Sequence, residues 1–155
     1  MSRQVLPFED NVQVLFYSVM TNLKSLGVDY LSFSYSVGGE RYYYSSDADW
    51  QKHCLHNDSG KEDPFQRLLE TTNLQYVMWD SLSENLSNCR TLEEEKDFCG
   101  LQEGFSFLQR GQSRMATLSL GSKNQRPSFY TALLEKIVDL RDLMTWMQDA
   151  VAKRV

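Results

Sequence analysis

Apolar side chains recur at Val12, Leu15, Phe16, Val19, Met20 and Leu23, the i, i+3, i+4 spacing that lays one stripe along an α-helix. The spacing predicts a helix over residues 8–25, stopped by Gly27. The pattern then tightens. Residues 28–37 carry Tyr30, Leu31, Phe33 and Tyr35, a density of aromatic and apolar groups that favours a strand. Gly38-Gly39 supplies a turn, and residues 40–44 read as the returning strand of a hairpin. Ser45, Ser46 or Asp47 then caps a helix holding Trp50, Cys54 and Leu55.

A polar break follows at residues 56–61, after which Asp63-Pro64 opens another helix, Asp as the cap and Pro in the first turn. Residues 74–79 form a short extended piece, and Thr91-Leu92-Glu93-Glu94 reads as a capping box. Strand-like runs over 104–108 and 115–120 flank a turn containing Gly111, and one long helix is expected over 127–151. Helix, hairpin, helices, hairpin, helix is an α+β order. Its simplest packing is an antiparallel sheet sandwiched between helices on both faces, an α-β-α arrangement in one domain spanning residues 1–155.

Composition narrows the function. With 41% hydrophobic residues in 155, the chain has enough apolar material for a single core. No apolar run approaches the roughly 20 residues of a membrane span. Residues 1–7 lack the apolar stretch of a secretory signal, so a cytoplasmic location and no membrane partner are expected. The net charge of -5 and the lack of a basic stripe argue against direct nucleic-acid contact. The three cysteines, Cys54, Cys89 and Cys99, have neither disulfide-framework nor zinc-pair spacing, and are read as reduced, buried thiols. No metal or other cofactor is implied.

The order of elements, with Trp50 on a helix after a strand, Asp63-Pro64 a dozen residues on, and Val77-Met78-Trp79-Asp80 after a short extended piece, resembles the autoinducer-binding domain of LuxR-type quorum-sensing regulators. Gly104-Phe105-Ser106-Phe107 and Thr117-Leu118-Ser119-Leu120 are similar to the family's later strands. The resemblance runs from about Phe8 to Val151. It implies a sensor domain that binds an acyl-homoserine lactone or related small signal and controls transcription.

In such a pocket the Trp50 indole, a donor only, suits the lactone carbonyl, and Asp63 accepts from the amide N–H. Ser119 donates to an acyl or amide oxygen, and the Trp79 face packs over the lactone ring. Tyr35, Tyr43, Phe105 and Phe107 wall the acyl tail. The chain departs from the family where tyrosines usually stand four residues before and after the helical Trp. Here those positions hold Ser46 and Cys54. Ser46 has a shorter reach, so Tyr44 or a water substitutes for the first, and Cys54 reshapes the wall left by the second. LuxR-type regulators continue into a helix-turn-helix, and none is read in these residues. The family commonly dimerises, so a homodimer, or a heterodimer with a LuxR-type protein, is expected.

An enzyme reading built on His53, Cys54, His56, Asp58 and Asp63 meets a geometric objection. Sequence neighbours on a helix point in different directions, so His53 and Cys54 make a poor nucleophile–base pair. The chain is therefore expected not to be an enzyme. The alternative to a ligand sensor is a LuxR-like module acting through heterodimerisation alone, without a ligand.

Overall fold

The computed structural model describes residues 5–56, 75–80, 90–124 and 128–152. Six strands form one sheet in the order β1-β3-β2-β6-β5-β4. They are β1 (Val5–Pro7), β2 (Tyr30–Val37), β3 (Glu40–Ser45), β4 (Tyr76–Met78), β5 (Glu103–Gly111) and β6 (Arg114–Ser122). The described helices are α1 (Asp10–Asn22), α2 (Ala48–His56), α3 (Arg90–Cys99), α4 (Ser128–Glu135) and α5 (Ile137–Ala152).

The centre of the sheet is set by two hairpins. Gly38 and Gly39 both adopt positive φ, 59° and 84°, the backbone that a two-residue turn between right-twisted strands requires. It pairs Val37 with Glu40 and carries the register through to Ser32 opposite Ser45. β2 then pairs with β6 from Tyr30–Gly121 to Val37–Arg114, and β6 with β5. The α+β sandwich is as expected, but the sheet is mixed rather than wholly antiparallel. β1, which the sequence pattern did not signal, adds to the edge in parallel with β3. Three residues with a terminal proline are too short to show an alternation.

The helices divide between the two faces. α1, α4 and α5 bury Val12, Phe16, Phe129, Leu133, Leu140, Met144 and Met147 against Leu31, Phe33, Phe105, Phe107, Leu118 and Leu120. Aromatic contacts knit this layer, among them Phe8–Phe16 at 5.4 Å and Phe16–Phe33 at 5.2 Å between ring centroids. α2 and α3 cover the other face with Trp50, Cys54 and Cys99, beside Tyr30, Tyr43 and Trp79.

The expected long final helix is two. The ladder tightens at Lys136, whose N–H bonds the carbonyl of Leu133, three residues back, at 3.1 Å. α4 buries Phe129 and Leu133, and α5 buries Leu140, Met144, Met147 and Val151. No proline or glycine marks this break.

Candidate functional site

Strand β2 reads Tyr-Leu-Ser-Phe-Ser-Tyr-Ser-Val from residue 30. Alternation sends Leu31, Phe33 and Tyr35 into the aromatic layer and Ser32, Ser34 and Ser36 to the opposite face. The registers continue that small, polar face across the sheet. Ser45, Ser32, Ser119 and Ser106 stand in one row, and Tyr43, Ser34, Thr117 and Leu108 in the next. The third row holds Arg41, Ser36 and Met115. All the hydroxyl residues in these rows are buried. A sheet face of buried serines under helices is a floor for something polar, because burying a hydroxyl costs free energy unless it is hydrogen-bonded.

At the Tyr30 end the bonding is internal. Asp47 caps α2, its Oδ1 accepting from the Trp50 backbone N–H at 3.0 Å. That cap holds the Trp50 indole over β3, where Nε1 donates to the Tyr43 hydroxyl at 3.0 Å. Tyr43 donates in turn to Glu95 Oε2 at 3.2 Å, and Tyr30 donates to the same oxygen. Ser45 donates to Tyr30 at 3.2 Å. Burial, and then the Glu95 carboxylate, hold both phenols well above their ordinary pKa, so they stay protonated donors.

The second tryptophan is fixed from below. Trp79 Nε1 donates to Ser106 Oγ at 2.8 Å, and Ser106 and Ser119 share a 2.7 Å bond. The Trp79 ring lies over Gly104, where a Cβ would come within 2.0 Å of Trp79 Cδ2. Only glycine permits that approach.

The far end of the floor is different. Arg41 is buried, donates from Nε to Ser34 Oγ at 3.1 Å and lies 5.6 Å from the centre of the Tyr43 ring. Beside it, Ser36 Oγ is buried with no hydrogen-bond partner among the described residues.

Cys54 faces this site from α2, but burial, and then Glu95, push its thiol up to about 12. A thiol held that high is not a nucleophile at neutral pH. His53 stacks between Trp50 and Phe98, with ring centroids 5.2 and 5.9 Å away. It is a ring packed in an aromatic stack, and no group of three metal-ligating side chains occurs among the described residues.

Of the residues expected at the pocket, Trp50, Tyr43, Cys54, Trp79 and Ser119 share the polar face. Tyr35, Tyr44, Phe105 and Phe107 do not. The strand alternation puts them in the opposite aromatic layer, under α1, α4 and α5. Ser46 is spent on the backbone, its Oγ accepting from the Leu31 N–H at 3.0 Å. Tyr44 points away from the serine face, into the aromatic layer. Asp63 and Asp58 lie outside the described residues. Sequence reasoning missed Tyr30, Ser34, Ser36, Arg41, Glu95 and Ser106. The Ser-x-Ser-x-Ser of β2 was the available signal: three small polar residues with a period of two mark a face that is not core.

No protein-family model matches this sequence, and no curated protein matches it. Solved structures match it in three dimensions. Escherichia coli SdiA in complex with octanoyl-rac-glycerol aligns with a TM-score of 0.68 at 16% identity, over 94% of this chain and 61% of that one. CepR2 from Burkholderia cenocepacia, an N-acylhomoserine lactone dependent LuxR family transcription factor, aligns at 0.65 and 12% identity, over 90% and 83%. The VqsR LBD domain from Pseudomonas aeruginosa gives 0.63 at 12%, over 89% and 90%. The chain spans 62% of the Escherichia coli SdiA chain in a crystal structure of that protein. At these identities the likeness is one of architecture: the chain has the fold of these proteins, the one its sequence resemblance implies.

Proposed function

We propose that the chain is the ligand-sensing domain of a LuxR-type regulator, taking a small acyl-homoserine lactone-like signal between the serine face of its sheet and helices α2 and α3. The observation that carries this is the face itself: buried hydroxyls with an indole at each side, Trp50 and Trp79, set back to back with a separate aromatic core. A second, polar layer under its own helices is the arrangement of a site with a few polar anchors in an apolar wall. Trp50, Trp79 and Ser119 mark its head end, with Asp63 as the acceptor for an amide N–H.

Purification from a signal-producing host, followed by mass spectrometry of whatever small molecule accompanies the protein, tests this. An amphiphile with an acyl chain at near-equal stoichiometry is expected. A protein that emerges empty and whose melting temperature stays fixed with every acyl-homoserine lactone offered contradicts it, since a ligand bound to the folded state must raise that temperature.

One observation favours a second reading, heterodimerisation without a ligand. The Trp50 indole N–H and the Ser119 hydroxyl already have partners within the protein. Under that reading, mixed dimers with a LuxR-type protein form equally well with and without signal.

A further inference from the structure

The two ends of the serine face differ in how completely their polar groups are used. At the head end, the side-chain bonds from the Trp50 indole, Tyr43, Tyr30 and Ser45 form a chain that ends on Glu95. Trp79, Ser106 and Ser119 close a second chain. Four residues along β2, about 13 Å at 3.3–3.4 Å per residue, Ser36 ends the row of serines. Its hydroxyl is more than nine-tenths buried, at 6% exposure, with no partner among the described residues. Its register partner across the hairpin is the buried Arg41, whose guanidinium leans along β3 over Tyr43 and Ser34.

Natural proteins seldom leave a buried hydroxyl without a bond, because its lost hydration is not repaid. An exposed strand end or an apolar residue would have avoided the loss.

We propose that Ser36, set beside Arg41, is a second polar anchor that receives a hydrogen-bonding oxygen at the far end of the ligand's chain. It makes the site selective for signals with an oxygenated rather than a purely alkyl tail. This inference rests on the sensor reading above. It adds a specificity-determining residue beyond the head-end tryptophans. Among the described residues Ser36 Oγ has no partner; in the complex its O–H donates to the tail oxygen.

The test compares N-decanoyl-homoserine lactone with its ω-hydroxy counterpart, by calorimetric titration of the intact chain and of Ser36→Ala. The ω-hydroxy compound is expected to bind the parent about tenfold tighter, the effect of one well-made hydrogen bond. Ser36→Ala is expected to bring that ratio to about one, with the affinity for the plain compound unchanged. The melting temperature of ligand-free Ser36→Ala supplies a second reading. It should equal or exceed the parent's, because the substitution removes a hydroxyl that bonds nothing. A fall of several degrees means the hydroxyl is already held and overturns the proposal, as does binding of both compounds without preference. Binding of neither compound, by a protein that also emerges empty from the signal-producing host, overturns the sensor reading and this inference with it.

Discussion

On one face of the sheet β2 presents Leu31, Phe33 and Tyr35; one residue along, on the other, it presents Ser32, Ser34 and Ser36. Both sets are buried, yet they bury different things. The first packs rings against α1, α4 and α5, each aromatic removing apolar surface from water at about 25 cal/mol per Å². The second offers little apolar area and must satisfy its hydroxyls one by one. One strand thus serves as the wall of an aromatic core on one face and carries a row of buried hydroxyls on the other.

The largest expected effect separates the faces directly. Phe33→Ala should cost about 3–5 kcal/mol in urea unfolding, the range for truncating a buried aromatic, whereas Ser32→Ala, its neighbour, should cost under about 1 kcal/mol. Comparable losses at both positions would erase the distinction. Next is Glu95→Leu, which leaves Tyr30 and Tyr43 without their shared acceptor. About 1–3 kcal/mol is expected for each phenol so stranded, with Glu95→Gln intermediate because the amide oxygen still accepts. An unchanged unfolding midpoint for the Leu variant would show that the network carries no stability.

Gly104→Ala should cost about 1–3 kcal/mol, the usual penalty of overpacking, because its methyl group would collide with the Trp79 ring. The emission of that indole should shift with it, and an unmoved spectrum would contradict the close approach. The smallest effect lies in alkali. The Cys54 thiol rises from 9.0 to about 12 on folding. Between those values the unfolded chain gives up its proton first and the folded state binds more protons, so this stabilisation is present below pH 9.0 and is lost towards pH 12. Cys54→Ala should flatten that part of the decline in melting temperature. An identical slope would place the thiol in water.

Much of this was legible in the sequence. The period of 3.6 in α1 and the Gly38-Gly39 turn follow from local chemistry, and both hairpins appear where the alternation puts them. Tyr35, Tyr44, Phe105 and Phe107 stand in the layer opposite the serine face. In a strand the face is decided by odd or even position, whatever the side chain. Glu95 was hidden differently. A glutamate in an acidic helix looks solvated, and only the approach of Tyr30 and Tyr43, more than fifty positions away, makes it an interior acceptor. β1 was too short to carry a period, and its parallel pairing is a tertiary choice.

The central claim, that the serine face is the floor of a ligand site, is tested most directly by filling it. Ser32→Leu places a large apolar side chain at the middle of the row running from Ser45 to Ser106. Octanoyl-rac-glycerol and N-octanoyl-homoserine lactone should be titrated against the parent and this variant while the melting temperature is followed. A concentration-dependent rise is expected in the parent with at least one compound, and its loss in a variant that still melts cooperatively. A rise of equal size in both proteins would put the ligand elsewhere and contradict the account.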